Sequence, residues 1–193
     1  MPDLYIISGC NGSGKTTASY TILPEILNCM EFVNADNIAY GLSPFNPESA
    51  ALESGKIMLK RIRELMVARV DFAFETTLST RSYVSLVKQA QQAGYRVSLL
   101  YFWLGSPELA IARVAKRVSN GGHHIPADVI RRRYYRGIYN LYKLYMPVCD
   151  QWTLIANMDL SPQVIAKYDS AGKMIFNKNT WDTMIRKAAE ENI

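Results

Sequence analysis

The run Gly9-Cys10-Asn11-Gly12-Ser13-Gly14-Lys15-Thr16 fits the phosphate-loop pattern of a glycine, four free positions, Gly-Lys and a hydroxyl residue. Glycines at these positions let successive backbone N–H groups turn inward around a phosphate, and the helix that follows adds its positive dipole end. Lys15 is then placed for β- and γ-phosphates and the Thr16 hydroxyl for Mg²⁺. Gly9, Asn11, Gly12, Ser13, Gly14, Lys15, Thr16 and Thr17 are therefore the candidate ATP contacts. Two carboxylates follow apolar segments further on. Asp36 is a candidate general base for a hydroxyl proton, although Asp is also a favoured helix cap, and from the residues alone both readings stand. Glu75 is a candidate to hold Mg²⁺ through water or to fix a second substrate, with Thr76 and Thr77 adding hydroxyls beside it; a plain strand-end acid is the alternative.

Cationic chemistry is concentrated between Arg113 and Arg136. Arg113 and Arg117 precede Gly121-Gly122, and Arg131, Arg132, Arg133 and Arg136 follow it, as expected of two helices joined by a lid over about 113–136. Arginines on such a lid can stabilise transition-state charge on a phosphoryl group. Ile130, Tyr134, Ile138, Leu141 and Tyr145 occupy the apolar stripe, which turns some of the arginines to solvent; Arg117 and Arg133 are the pair assigned to chemistry. His123 is a candidate substrate contact, with an ordinary loop residue as the alternative; so is Lys56, next to a Gly55 that interrupts a helix and suggests a close approach, which helix packing explains equally well. The tyrosines from Tyr134 to Tyr145 read as packing before they read as a stacking platform.

The elements that must position these groups alternate. Leu4–Ile7 reads as a buried strand, Lys15–Leu27 as a helix disturbed by Pro24, and Glu31–Asp36 as a second strand. Asn46-Pro47-Glu48 is a helix start, with Met58, Ile62, Leu65 and Met66 at helical spacing. Val70–Thr76 is a third strand, Arg81–Ala93 a helix and Tyr95–Leu104 the most β-like run. Ser106-Pro107-Glu108 opens a helix to about Ser119, another runs from Ala127 toward Tyr145, and Trp152–Ala156 is a fifth strand. Val164–Tyr168 and Lys173–Phe176 flank a turn, and a helix starts at about Thr180, so residues 163–192 form a hairpin and helix. This order predicts an α/β fold: a doubly wound, mostly parallel sheet in a three-layer sandwich, with ligands at the carboxyl edge.

With 193 residues and 49% apolar composition, residues 1–193 are expected to form one domain. No signal-like segment and no apolar run of membrane-spanning length is evident, so the expected location is the cytoplasm and no membrane partner is expected. Cys10, Cys29 and Cys149 lack disulfide or zinc spacing. The net charge of +5 lies largely in the arginine-rich region, which suits a polyphosphate better than nucleic acid, an unlikely partner here.

Taken in order, GCNGSGKTT, VNADNIA, FAFETTLS, RVAKRVSNGGHHIP and VIRRRYYRGIYNL resemble the zeta toxin family of phosphate-loop kinases, in its small Gram-negative form. The resemblance spans about Tyr5 to Asn157. It implies a nucleoside-kinase-like fold and transfer of phosphate from ATP, with Mg²⁺, to a hydroxyl of the amino-sugar in UDP-N-acetylglucosamine. It further implies Lys15 and Thr16 on ATP and Mg²⁺, Asp36 as base, Glu75 and Thr77 on the acceptor, Arg117 and Arg133 as the charge-stabilising pair, and a possible antitoxin partner. The helix-rich extension of the large toxins is not evident, which opens the acceptor more than the reaction. Two alternatives stand beside it: a regulatory nucleotide-binding ATPase, and a nucleoside or polynucleotide kinase. No LSGGQ-like signature is present and Tyr95–Leu104 ends in Gly105 with no acid, both against a motor ATPase.

Overall fold

A computed structural model describes residues 1–122, 124–158 and 161–189. Its centre is a seven-stranded sheet in the order β2-β3-β1-β4-β5-β6-β7. The strands are β1 (Asp3–Gly9), β2 (Glu31–Val33), β3 (Phe72–Thr76), β4 (Arg96–Trp103), β5 (Gln151–Ala156), β6 (Gln163–Asp169) and β7 (Gly172–Ile175). The first five run parallel and the last two extend the sheet antiparallel. Period-2 alternation divides β1 to β5 between two cores. Leu4 and Ile6 of β1 and Phe72 and Phe74 of β3 face a large cluster. Tyr5, Ile7 and Ala73 face a small one.

Among the described residues, seven α-helices cover the faces unequally: α1 (Lys15–Thr21), α2 (Ala35–Leu42), α3 (Ala51–Ala68), α4 (Tyr83–Gln92), α5 (Pro107–Ser119), α6 (Ala127–Asn140) and α7 (Lys178–Ala189). Helices α3 to α7 bury their stripes in the large cluster, for example through Ile62, Val87, Val114, Tyr134 and Met184. The small cluster is sealed by Ala18 of α1 and by Ile22, Leu23 and Leu27 just after it. The architecture is thus the expected α/β sandwich with a mostly parallel sheet. Among the described residues no helix is long and apolar enough to cross a membrane.

Three local outcomes differ from the sequence expectation, each with a physical cause. Helix α1 stops at Thr21, and Ile22–Ile26 forms a π-helical turn. Pro24 offers no N–H to the helical ladder, which resumes one residue late with Leu27 N–H donating to Ile22 O at 3.0 Å. The second strand ends at Val33, because Asn34 accepts from the N–H groups of Asp36 at 2.8 Å and Asn37 at 3.2 Å and so starts α2. Asp36 therefore sits in the first turn of a helix, not at the end of a strand. Asn46 makes no side-chain cap; Pro47 opens a single 3₁₀ turn and α3 begins at Ala51. Ser106 does cap α5, accepting from Leu109 N–H at 3.2 Å ahead of Pro107.

Candidate active site

The sheet order places β3 directly beside β1, with Ile7 opposite Glu75 and Ser8 opposite Thr76. The chain leaves β1 at Gly9 and wraps into the loop, so Glu75 emerges against the loop it must face. Gly12 and Gly14 have φ of 76° and 83°, a region L side chains rarely adopt. Space closes the argument: a Cβ on Gly12 would lie 2.8 Å from Ala110 O of α5, and one on Gly14 would lie 2.5 Å from Asn157 Nδ2. Asn157 itself donates to Ser13 O at 2.8 Å and fastens the loop to the end of β5. Ser13 Oγ is buried with no partner in the described structure, an unspent hydroxyl inside the loop.

Lys15 is 5% exposed, and its ammonium donates to Cys10 O at 2.9 Å and faces Glu75 Oε1 at 3.7 Å. The Thr16 hydroxyl donates to Glu75 Oε2 at 2.8 Å, and Asn34 Nδ2 donates to the same oxygen at 2.8 Å. An almost buried carboxylate is tolerable here because Oε1 is paired with the Lys15 ammonium and Oε2 accepts two hydrogen bonds. Arg133 of α6 reaches down from the opposite side, its Nη1 3.3 Å from Asn11 Oδ1. Burial pulls its guanidinium below the ordinary value; the charge of Asp36 opposes that shift and neighbouring Arg132 adds to it. It stays cationic, as arginine does in proteins.

These groups line one cavity of about 230 Å³, which includes Lys15, Asp36, Glu75, Thr77 and Arg133. A second cavity, about 560 Å³, shares Asp36 and Arg133 and continues past Tyr40 and Ser54 to Arg117 and His124. Together they give a buried end with a phosphate loop and a wider chamber with aromatic, hydroxyl and cationic walls. Asp36, with the cap role taken by Asn34, is exposed and lines both cavities.

The remaining candidates scatter. Thr77 lies in the smaller cavity with its hydroxyl 2.9 Å from Ser79 Oγ. Arg117 is at the exposed rim of the larger one. Thr17 is exposed on α1, and Lys56 is exposed on α3 and lines neither cavity. The close approach expected at Gly55 is absent: a Cβ there would meet nothing within 4 Å. His123 lies outside the described residues. Arg131 is committed to Glu108 at 3.3 Å and Arg113 to Met158 O at 3.0 Å. Tyr134 and Tyr145 are wholly buried, donating to Leu104 O at 2.7 Å and Thr80 O at 2.8 Å, which settles them as packing. Sequence reasoning passed over Asn34 and Asn157; a lone asparagine after a strand carries no periodic signal.

The two helices flanking Gly121-Gly122 are held at their stems. Helix α5 touches the loop at Gly12 and is tied by Arg113, while α6 is tied by Arg133, by Tyr134 and by the packing of Gly137, where a Cβ would fall 2.6 Å from Thr77 O. Residues 120–126 bridge the two stems.

A sheet in this order, with a glycine loop after β1, an acid just past β2 and another near the end of β3, defines the phosphate-loop kinase-like fold class. The family model described as AAA domain matches residues 4–136, and the chain belongs to that family. An uncharacterized protein of Haemophilus influenzae is 31% identical over 126 residues, covering 65% of this chain and 88% of its own length. Among solved structures, the AvrRxo1-ORF1:-ORF2 complex with ATP superposes with a TM-score of 0.79 at 16% identity, over 100% of this chain. This chain spans only 65% of the length of that neighbour. A structure from the PezAT chromosomal toxin-antitoxin system of Streptococcus pneumoniae superposes with a TM-score of 0.63 at 15% identity, over 99% of this chain and 80% of its own. Identities this low establish shared fold.

Proposed function

We propose that the protein is an ATP-dependent small-molecule kinase that transfers the γ-phosphoryl group to a hydroxyl, with a sugar nucleotide of the UDP-N-acetylglucosamine type as the first acceptor to test. The observation that carries this reading is that Lys15, Asp36, Glu75 and Arg133 line the same cavity. An ATPase that activates only water has no use for a second chamber of about 560 Å³ opening at the base. The acceptor hydroxyl occupies the junction of the two cavities. Asp36 takes its proton as the oxygen attacks phosphorus, an effect worth about 10² to 10⁴ in rate. Lys15 leaves Cys10 O for the phosphates, and Arg133, with Arg117 from the rim, neutralises the charge that builds on the equatorial oxygens.

The donor chemistry fits Mg²⁺. The Thr16 hydroxyl and a Glu75 carboxylate oxygen converge within 2.8 Å, both hard oxygen donors, and no cluster of three or more His, Cys, Asp or Glu able to cage a metal occurs among the described residues. That is the pattern of an ion held mainly by substrate phosphates and water, with one hydroxyl and one carboxylate from the protein. Bound there, Mg²⁺ would supply charge neutralisation on the phosphate oxygens. An antitoxin partner belongs to the same reading, supported by the toxin-antitoxin system that the PezAT structure describes.

The test is direct: incubate the protein with ATP, Mg²⁺ and a panel of sugar nucleotides, nucleosides and oligonucleotides, and identify products by mass spectrometry. A sugar nucleotide heavier by one phosphoryl group is expected. Release of only ADP and free phosphate across the panel overturns the kinase reading.

A further inference from the structure

We infer that Asn34 is a positioning residue that sets the spacing between Asp36 and Glu75. This rests on the kinase reading above but assigns a residue that reading does not use. Asn34 is 4% exposed, and each end of its amide has a different task. The carbonyl oxygen accepts from Asp36 N–H at 2.8 Å and Asn37 N–H at 3.2 Å, which fixes the first turn of α2 and thus the place of the Asp36 carboxylate. The amide nitrogen donates to Glu75 Oε2 at 2.8 Å, across 41 residues of sequence, to the very oxygen that the Thr16 hydroxyl also reaches. One planar, six-atom group therefore spans from the helix that carries the acceptor-side acid to the strand that carries the phosphate-side acid. Being planar and held at both ends, it has no rotamer freedom through which the separation can drift.

A cap alone does not need an amide. Ser and Asp cap helices about as well as Asn, but Ser cannot reach Glu75 and Asp has no proton to give it. Asn is the side chain that satisfies both demands. With Mg²⁺ bound, the Thr16 hydroxyl would be claimed by the metal, and Asn34 would remain as the donor that keeps that Glu75 oxygen in place. Lys15, on the other carboxylate oxygen at 3.7 Å, is equally claimed by phosphate. Remove the Asn34 donor and Glu75 is free to swing when nucleotide enters.

The experiment uses Asn34→Ser, which keeps the cap and loses the donor, and Asn34→Thr, a second capping residue without the amide, should the first fold poorly. Binding of the fluorescent analogue mant-ATP is titrated at graded Mg²⁺ in the full chain, beside melting of the free protein. The expected result for either variant is a folded protein that melts a few degrees below wild type and a Mg²⁺ requirement for mant-ATP binding raised about tenfold, the order expected for one lost hydrogen bond to a charged group. With the acceptor in hand, kcat should fall by about tenfold while KM for ATP at saturating Mg²⁺ moves by less than about threefold, as when an interaction is lost in the transition state. The decisive control is a double-mutant cycle: in an Glu75→Ala background, Asn34→Ser should have no further effect on the Mg²⁺ requirement. Wild-type Mg²⁺ dependence in both folded variants, or equal effects of Asn34→Ser with and without Glu75, reduces Asn34 to a cap and overturns the inference. A wild-type protein without Mg²⁺-dependent mant-ATP binding is a different failure, since it removes the nucleotide reading itself.

Discussion

Two glycines inside long helices should respond in opposite directions to the same added methyl group. Neither Gly55 of α3 nor Gly137 of α6 has positive φ, so alanine fits both backbones without strain. At Gly55 a Cβ meets nothing within 4 Å, and the helix gains about 0.5–1 kcal/mol from the lost backbone freedom of the unfolded chain. For a chain of this size that raises Tm by about 1–4 °C. At Gly137 the same gain is opposed, because the Cβ would lie 2.6 Å from the Thr77 carbonyl oxygen, a backbone atom that cannot rotate away. Overpacking costs roughly 1–3 kcal/mol, and a rigid obstacle places this case toward the upper end. The net loss is about 1–2 kcal/mol, or a Tm lower by about 2–8 °C. Relief comes by pushing the segment from Glu75 to Leu78 away from α6, so Gly137→Ala should also weaken mant-ATP binding while Gly55→Ala leaves it intact. Calorimetric melting of both variants decides the matter. A Gly137→Ala protein that melts at or above wild type would refute the claim that α6 is seated on the Thr77 backbone.

Asp36→Asn should lower phosphoryl transfer by at least about 10² while mant-ATP affinity stays near wild type, because the base acts on the acceptor; full activity would dismiss Asp36 as base. Lys15→Ala should abolish detectable mant-ATP binding, and it leaves the Glu75 carboxylate facing the loop without its cation, so it should also melt earlier than wild type. Burial pushes the thiols of Cys10 and Cys29 up to about 11 and that of Cys149 up to about 12. All three should resist alkylation at pH 8 until denaturant is added, as a mass count of labels would show. These thiols keep their protons in the folded state at pH values where the unfolded chain loses them. Their contribution to stability is therefore full below the ordinary value of 9.0 and is lost as pH climbs toward 11, by up to about 1.4 kcal/mol per pH unit for each thiol. Denaturant melts at pH 8, 9.5 and 10.5 measure that decline.

The sequence made the sheet and the loop legible because both rest on local rules. Apolar runs of strand length, glycines before Gly-Lys-Thr and the Ser106-Pro107 start are short-range signals; the place of β3 next to β1, which brings Glu75 beside the loop, is readable only through the phosphate-loop kinase topology that the motifs suggest. Helical phase served Arg133 as well. With Ile130, Tyr134 and Ile138 buried, its side chain falls on the flank that meets Asn11, while Arg131 turns to Glu108. What escaped depended on distant partners. Asn34 finds Glu75 41 residues away and Asn157 finds Ser13 144 residues away, contacts that no pattern within either segment announces. Gly55 misled for the reverse reason, since a glycine in a helix looks like a close approach whether or not anything approaches. Around Pro24 the break was foreseen, but not that the helix would absorb it as a π turn.

The anchoring of α5 and α6 has a consequence for how this fold can change. Because Gly12 rests on α5 and Asn11 and Thr77 on α6, substitutions at the stem positions that touch them are felt at the phosphate loop. Between the stems, Gly122 is held against Arg117, where a Cβ would fall 2.6 Å from Cγ, and Ile125 is buried in the large core. His124, by contrast, is exposed and lines the larger cavity. Exchanges there can alter what the chamber grips while the frame that handles phosphate passes unchanged from one descendant to the next.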